Sequence, residues 1–265
     1  MDRTLKTALS EGRHPVGTWL SIGHPSLAEV TARLDFDFVL VDTEHTPIGL
    51  ETLENMVRAV DAAGTDTDVV VRVPWNDMVR LKRVLDIGVD GVMVPMIESG
   101  ADARDLVESV RYPPEGRRGI ASGRAAGYGL DMAEYFETAD GSLLTIAQVE
   151  TRSGLESVEE IAAVNGVDAL FVGPADLSGS LGVFADWDDD GYVAAVERVV
   201  EAGRTAGVPT GSLAVRARDI ERRLAHGFDF LVAGKDTTTL VEGNREILDE
   251  HESALDRLER GGPAP

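Results

Sequence analysis

Short, nearly continuous apolar runs alternate with helical patterns along the whole chain. Runs of this kind are typical of parallel strands buried on both faces. Between the runs, apolar residues recur at helical spacing, as in Leu53, Met56 and Val60. A capping box formed by Ser153 and Glu156 marks the start of another helix. The predicted strands are Val16–Ile22, Phe38–Asp42, Val69–Val73, Val92–Pro95, Leu143–Val149, Ala169–Val172, Thr210–Val215 and Asp229–Ala233.

The alternation of strands and helices predicts an α/β protein, and its number of repeats predicts a TIM (β/α)8 barrel. A chain of 265 residues is long enough for one such barrel, so we expect a single domain over residues 1–265. The alternative is an open, doubly wound sheet. It is disfavoured because no Gly-rich dinucleotide turn follows the first strand.

The charge of the chain limits its partners. Its 47 acidic and 25 basic residues give a net charge of −22, which argues against nucleic acid as a partner. Such acidity favours a salt-rich, halophilic cytoplasm, because at 1 M salt charges are screened beyond about 3 Å. No run of 18 apolar residues predicts a membrane span, and no signal segment begins the chain, so we expect a cytoplasmic protein with small-molecule substrates.

Polar residues follow several predicted strands where they end. In a TIM barrel these ends meet at one mouth, where active sites lie. Gln148 and Glu150 end the fifth strand, and Asp176 follows the sixth. Since the chain has no cysteine, any metal ligands must be oxygen or nitrogen. Two carboxylates at this mouth predict a site for one hard divalent cation, with open positions for substrate.

Other strand ends supply a base and a cation. His45 follows the second strand, and beside a metal site it is the natural general base. Arg72 ends the third strand, where a buried charge needs a partner. That partner is a substrate carboxylate or enolate oxygen, or alternatively a carboxylate of the mouth such as Asp42. Leu213 and Lys235 lie at the seventh and eighth strands.

A second acidic segment matches a calcium-loop pattern. Asp186, Asp188, Asp190, Gly191 and Glu197 satisfy the EF-hand spacing. The residues before them do not read as an entering helix, so the aspartates are better explained as the first turn of a helix. A non-enzymatic calcium-binding protein remains an alternative. It would prefer Ca²⁺ to Mg²⁺ and would keep its metal without Glu150.

Seven motifs in order resemble the HpcH/HpaI aldolase family, the metal-dependent pyruvate aldolases of the phosphoenolpyruvate/pyruvate superfamily. The similarity spans about residues 16–240. The motifs are Gly17-Thr-Trp, Val41-Asp-Thr-Glu-His45, Val71-Arg-Val-Pro74, Val84-Leu-Asp-Ile-Gly88, Arg111-Tyr-Pro-Pro, Gln148-Val-Glu150 and Gly173-Pro-Ala-Asp-Leu-Ser178.

The resemblance implies a role for each residue at the mouth. Glu150 and Asp176 would bind Mg²⁺, Mn²⁺ or a similar ion such as Co²⁺. Pyruvate would chelate this ion, held by Gln148 and by the backbone at Ala175 and Asp176. A second set of residues would then carry the proton and charge transfers.

In that second set, His45 would act as acid and base through a water. Asp86 would make His45 more basic. Arg72 would stabilise charge on the keto or enolate oxygen.

The activity implied is a class II aldolase. It would reversibly cleave a 4-hydroxy-2-oxo acid into pyruvate and an aldehyde through a metal-bound pyruvate enolate. Candidate substrates are 4-hydroxy-2-oxo-heptanedioate-like diacids and 2-keto-3-deoxy sugar acids such as those of rhamnonate aldolases. The family also implies a homo-oligomer, often a hexamer, in which the C-terminal helix, here about 240–258, is exchanged between subunits.

Lys235 departs from the family pattern, which has a small or apolar residue there. It is expected either to contact the acidic or hydroxylated end of the aldehyde or to be a surface lysine. It also permits a Schiff-base mechanism, in which the metal pair would have no task. The main rival activity is an acyl-CoA-thioester lyase related to citrate lyase β subunits and malyl-CoA lyase. That activity needs a basic groove, for which only Arg117, Arg118 and Arg124 are available.

Overall fold

The computed structural model describes residues 4–260, and in this range eight parallel strands close into a barrel in chain order. β8 pairs with β1 to complete the ring. The predicted TIM barrel is confirmed, and each predicted strand coincides with an observed one. The strands are β1 (Val16–Leu20), β2 (Phe38–Asp42), β3 (Asp68–Arg72), β4 (Gly91–Val94), β5 (Leu144–Val149), β6 (Ala169–Val172), β7 (Thr210–Ala214) and β8 (Phe230–Lys235).

Within residues 4–260 the structure has twelve α-helices, more than the eight of the predicted (β/α)8 repeats. α1 precedes the first strand, and α6 follows a Gly- and Arg-rich segment, residues 113–129, which ends in a 3-10 turn at Arg124–Gly129. The helices are α1 (Leu5–Ser10), α2 (Pro25–Ala32), α3 (Leu50–Ala63), α4 (Met78–Leu85), α5 (Gly100–Val110), α6 (Met132–Ser142), α7 (Arg152–Glu156), α8 (Val158–Ala162), α9 (Pro174–Leu181), α10 (Asp190–Ala206), α11 (Ala217–Ala225) and α12 (Asp236–Glu259).

The strands bury both faces, as their apolar sequences require. In β2, Phe38 and Leu40 belong to the cluster that fills the barrel, whereas Val39 and Val41 pack outward against the helices. This division follows from the alternation of side chains along a strand. Leu5 and Leu9 of α1 join the inner cluster. The amino-terminal end of the barrel is therefore closed by α1, and the opposite end remains for the site.

An aspartate directly before each even-numbered strand forms a hydrogen bond with the odd-numbered strand that precedes it in the chain. The residue directly before β2, β4, β6 and β8 is aspartate, and its carboxylate accepts a backbone N–H from near the start of the preceding strand. Each bond ties two neighbouring strands together and thereby stabilises their register. The four bonds join Asp37 to Val16 (2.8 Å), Asp90 to Val69 (2.7 Å), Asp168 to Thr145 (2.9 Å) and Asp229 to Thr210 (2.7 Å).

The last helix stands apart from the core. α12 has 24 residues, and none of them is buried. None of the described helices is long and apolar enough to cross a membrane. The predicted exchange of residues 240–258 between subunits stays a prediction. The exposed apolar side chains of α12 are Leu240, Val241, Ile247, Leu248, Leu255 and Leu258.

Candidate active site

A buried ion pair forms one side of the barrel mouth. Arg72 at the end of β3 donates from Nε to Asp42 Oδ1 (3.0 Å) and from Nη2 to Asp42 Oδ2 (2.8 Å). The guanidinium also lies over the ring of Trp19, 4.5 Å from its centroid. Burial raises the pKa of Asp42, but the hydrogen bonds and charge of Arg72 outweigh it, so the net pKa is lowered. Asp42, the alternative partner predicted for Arg72, is therefore bound to it within the chain.

The loop after β2 extends this ion pair toward the cavity. Glu44 Oε2 lies 2.7 Å from Arg72 Nη1, an ion-pair contact without the alignment of a hydrogen bond. Burial raises the pKa of Glu44 although Arg72 opposes the shift. His45 Nε2 lies 3.8 Å from Glu44 Oε1, and the His45 side chain is 71% exposed. The His45 side chain therefore lies beside Glu44 and is open to anything bound in the mouth.

The opposite side of the mouth contains a buried carboxylate. Glu150 follows β5 and is 3% exposed. Its Oε1 accepts the backbone N–H of Met96 at 3.0 Å, and its Oε2 accepts a hydrogen bond from Gln148 Nε2. Burial raises the pKa of Glu150 to about 7, with a further contribution from the negative charge of Asp176. Among residues 4–260, no basic side chain lies within 4.0 Å of the Glu150 carboxylate.

Asp176 lies in the first turn of α9, which begins at the end of β6. Gly173 is the N-cap of this helix and provides no side-chain cap. Within residues 4–260, the backbone N–H groups of Ala175 and Asp176 donate to no protein acceptor. The amino end of a helix with free N–H groups favours a bound anion.

Gly173 allows Glu150 and the backbone that leads to Asp176 to approach each other. A Cβ at this position would lie 2.6 Å from Glu150 Oε2 and 2.8 Å from Gln148 Nε2. Both distances are shorter than real side chains tolerate. The carboxylate of Glu150 therefore packs directly on the backbone that leads into α9.

The two sides enclose a cavity of about 510 Å³. Most residues predicted for the site line it, whereas Glu150 lies buried behind Gln148 and Gly173 and does not reach the cavity surface. Trp19 and Trp187 also line the cavity and were not predicted. The predicted residues that line the cavity are His45, Arg72, Gln148, Ala175, Asp176, Leu213 and Lys235.

Asp86 is the predicted residue that the structure does not bring to the mouth. It follows α4 as the C-cap, ahead of β4, and so lies toward the amino-terminal end of the barrel. Its Oδ1 is 3.4 Å from Arg118 Nη2, and no contact joins it to His45 among the described residues. Asp86 therefore makes no contact with His45 within one chain, because a helix of a (β/α) unit ends at the opposite face from the site, and the expected support of His45 by Asp86 stays a prediction.

The calcium-loop segment is not arranged as a metal site. Asp189 caps α10 by accepting the N–H of Tyr192 at 3.0 Å, and Asp188 lies 3.6 Å from Arg222. Between residues 4 and 260, no group of three or more His, Asp or Glu side chains is arranged to hold a metal ion. The structure therefore supports the helix-turn interpretation of these aspartates. At the mouth, any metal would depend on two carboxylates and on oxygens from the substrate.

The fold and the mouth define a TIM-barrel enzyme with a carboxylate, histidine and arginine site. The sequence profile of the HpcH/HpaI aldolase/citrate lyase family matches residues 16–243, and the chain belongs to this family. The predicted family is thus confirmed, and with it, at the level of the family, the predicted class of carbon–carbon lyase.

Related proteins match almost the whole chain in sequence and in structure. A hydroxypyruvate/pyruvate aldolase from Paraburkholderia phytofirmans is 39% identical over 93% of this chain and 96% of its own length. A 4-hydroxy-2-oxovalerate aldolase from Novosphingobium aromaticivorans is 38% identical over 91% of each. The crystal structure of a family protein from Burkholderia cenocepacia matches with a TM-score of 0.90 and 37% identity, over 94% of this chain and 98% of that one.

A more distantly related structure shares the fold. A citrate lyase β subunit from M. tuberculosis, complexed with oxaloacetate and magnesium, matches with a TM-score of 0.55 and 21% identity, covering 86% of this chain and 93% of that one. At this identity the likeness is one of fold alone.

Proposed function

We propose that this protein is a metal-dependent pyruvate aldolase that cleaves 4-hydroxy-2-oxo acids to pyruvate and an aldehyde. The observation that carries the proposal is the buried Glu150 carboxylate, packed on the backbone of the helix that supplies Asp176. Asp176 lines the same cavity as His45 and Arg72, and Glu150 packs on Gly173 of the cavity lining. Relatives named as pyruvate and 4-hydroxy-2-oxo acid aldolases support the same reaction class.

The residues of the mouth fit a divalent cation. Burial and the charge of Asp176 raise the pKa of Glu150 to about 7, so the ionised pair calls for a positive charge. The side-chain oxygen of Gln148 is buried without a hydrogen-bond donor, so an acceptor is also left free. An all-oxygen set of ligands suits Mg²⁺ or Mn²⁺. Glu150 and Asp176 would hold such an ion.

Pyruvate would be oriented by two sets of groups at the mouth. Its carboxylate would accept hydrogen bonds from the free N–H groups of Ala175 and Asp176 at the amino end of α9. Arg72 would face its keto oxygen, because the Asp42 pair holds the guanidinium at the mouth. The low exposure of this ion pair strengthens its effect on charge that develops nearby.

Proton transfer is assigned to His45. When bound, the metal supplies a Lewis acid that makes the methyl group of pyruvate more acidic. His45 is the exposed base at the mouth, and its Nε2 lies 3.8 Å from Glu44 Oε1. In the cleavage direction His45 would take the proton of the 4-hydroxyl group, and in the reverse direction it would return that proton.

Two rival activities lack support in the described residues. The arginines proposed for a CoA groove are each paired with a carboxylate, Arg117 with Asp105, Arg118 with Asp86 and Arg124 with Asp61. A Schiff base at Lys235 would leave the Glu150 carboxylate without a role. Trapping with borohydride in the presence of pyruvate distinguishes the two aldolase mechanisms, since only a Schiff base would attach pyruvate to the chain.

The test is pyruvate release from a panel of 4-hydroxy-2-oxo acids, in high salt, with EDTA or with added Mg²⁺ or Mn²⁺. We expect metal-dependent release by the wild type and loss of at least about 100-fold in Glu150→Ala, because a carboxylate ligand is removed. Glu159→Ala is the matched control, since Glu159 is an exposed partner of Arg198. The absence of release from every substrate with every metal, by a folded protein, contradicts the proposal.

We also propose a homo-oligomer in a salt-rich cytoplasm. The apolar side chains that α12 exposes support burial of this helix against another subunit. The net charge of −22 supports function at high salt. Sedimentation velocity in high KCl would detect the assembly, and a monomer at all concentrations would contradict it.

A further inference from the structure

The lining of the cavity reverses the charge balance of the chain. The whole protein has 47 acidic and 25 basic residues, yet the cavity is lined by six arginine or lysine side chains and only two aspartates. The excess of cations is local, so it is not explained by composition. The two aspartates are Asp176 and Asp219. The six cations are Arg72, Arg216, Arg218, Arg222, Arg223 and Lys235.

Half of these cations are already paired within the chain. Arg72 binds Asp42, Arg216 lies 2.7 Å from Glu242, and Arg222 lies 3.6 Å from Asp188. Arg218, Arg223 and Lys235 have no carboxylate within 4.0 Å among residues 4–260. We call these three residues the cationic wall.

Arg223 is the decisive member of the cationic wall. It is 4% exposed, and a buried guanidinium is normally paired with an anion. Here its partners are neutral. Nε donates to the carbonyl of Leu213 (3.2 Å), and Nη1 donates to the hydroxyl of Tyr192 (3.0 Å). Its Cζ lies 5.2 Å from the ring centroid of Trp187. Its Nη2 donates to no described residue, so this end of the guanidinium is free for a ligand in the cavity.

The cationic wall is separate from the groups assigned to pyruvate. Arg223 and Arg218 belong to α11, which follows β7, and Lys235 ends β8. The metal ligands and the free N–H groups follow β5 and β6. A molecule held at β5 and β6 therefore has a second anion-binding region beside it, on the β7 and β8 side of the same cavity.

We propose that the cationic wall binds an anionic group at the far end of the acceptor aldehyde, so that the physiological aldehyde carries a carboxylate or a phosphate. This inference rests on the proposed function and names the substrate class of that site. In the synthetic direction the methyl carbon of pyruvate loses a proton and bonds to the aldehyde carbon, whose oxygen takes up a proton. The wall acts on the aldehyde chain away from these atoms, and so it sets specificity.

The proposal differs measurably from a structural role for Arg223. If Arg223 only held Leu213 and Tyr192 in place, its replacement would lower kcat/KM for all aldehydes by the same factor. As part of an anion site, it would affect charged aldehydes selectively, because only these lose a charge-assisted hydrogen bond. Lys235 is half-buried and makes no hydrogen bond to a described residue through its side chain, so Lys235→Gln probes the site with little risk to folding.

The experiment measures kcat/KM for the addition of pyruvate to matched aldehydes by the metal-loaded enzyme. One arm compares 4-oxobutanoate with its methyl ester, and the other compares glyceraldehyde 3-phosphate with glyceraldehyde. The two arms distinguish a carboxylate from a phosphate as the preferred group. The variants are Arg223→Gln and Lys235→Gln. Arg198→Gln is the control, because it removes the same charge at an exposed pair with Glu159.

We expect the wild type to prefer one charged aldehyde over its neutral partner by at least about 10-fold. Arg223→Gln should lose about 10- to 100-fold on the charged aldehyde and less than about 3-fold on the neutral one, as for loss of one charge-assisted hydrogen bond. Lys235→Gln should show the same selectivity in a smaller degree, and Arg198→Gln should show none.

Two results overturn the inference. One is a wild type that uses charged and neutral aldehydes equally, which leaves the aldolase function intact. The other is an equal loss of kcat/KM on both aldehydes in Arg223→Gln, together with no selective loss in Lys235→Gln. That result would mean that Arg223 has a structural role only. Failure of every aldehyde to react with pyruvate contradicts the proposed function itself, and the inference with it.

Discussion

Gly173→Ala isolates the packing of Glu150 against the backbone. The backbone at Gly173 has φ −81° and ψ 97°, which alanine adopts without strain. The added Cβ, however, would lie 2.6 Å from Glu150 Oε2, where ordinary contact begins at 3.4 Å. Glu150 is buried and bound to Gln148 and Met96, so it must shift by roughly 0.8 Å, the difference between those contacts, to make room.

Gly173→Ala is expected to lower the stability of the fold slightly and its affinity for metal strongly. Overpacking of this kind costs about 1–3 kcal/mol, partly offset by about 0.4–1 kcal/mol because alanine restricts the unfolded chain. Tm should therefore fall by only a few degrees. A shift of this size in a metal ligand should weaken Mn²⁺ binding by about 10- to 100-fold, comparable to the loss of a group that orients a ligand.

The assay is calorimetric titration of Mn²⁺ in high KCl, alongside thermal unfolding of the same samples. Gly179→Ala on α9 is the control, because its Cβ would meet nothing closer than Phe184 Cδ2 at 3.8 Å. It should bind Mn²⁺ as the wild type does. If folded Gly173→Ala also binds Mn²⁺ with wild-type affinity, then Glu150 is not the metal ligand and the reasoning fails.

Three further variants test other parts of the site and the barrel. Arg72→Met should lower the free energy of unfolding by about 3–5 kcal/mol, because it leaves Asp42 buried without a counter-charge. Denaturant titration should show a smaller loss in the double variant with Asp42→Asn. His45→Asn should lower kcat by about 10²- to 10⁴-fold while Mn²⁺ affinity and Tm stay unchanged, since its side chain is 71% exposed. Burial raises the pKa of Asp68 from 3.8 to about 7, so the folded state holds this proton more tightly than the unfolded state. The protonated Asp68 therefore stabilises the folded state at low pH, and this contribution is lost as the pH rises through 7. When unfolding is measured from pH 5 to 8, the wild type should lose stability relative to Asp68→Asn. Parallel pH profiles would refute this assignment.

The barrel was readable from the sequence because buried parallel strands leave a direct signature. Strands such as Phe38–Asp42 are apolar on both faces, and no helical spacing competes with that pattern. α1 was missed because a helix of 6 residues is too short to establish a period. Its role in closing the barrel depends on contacts with distant strands, and local sequence does not contain these.

The site was predictable where function follows from position on a strand. Glu150 and Asp176 could be found because the carboxyl ends of barrel strands converge. The position of Asp86 away from the mouth could not be predicted, since its motif gives an order along the chain and no face of the barrel. Arg223 was not predicted because the charged residues around it in the sequence are typical of an exposed helix. Its burial comes from Tyr192, 31 residues away, and from Trp187.

The central claim is that a metal held by Glu150 and Asp176 activates the methyl group of pyruvate. Exchange of the methyl protons of pyruvate for deuterium, followed by NMR in D₂O, tests this claim without knowledge of the aldehyde. We expect exchange that requires Mg²⁺ or Mn²⁺, stops with EDTA and is lost in Glu150→Gln but retained in the surface control Glu159→Gln. Exchange no faster than that of metal and buffer alone, or exchange that survives EDTA and Glu150→Gln, would contradict the account.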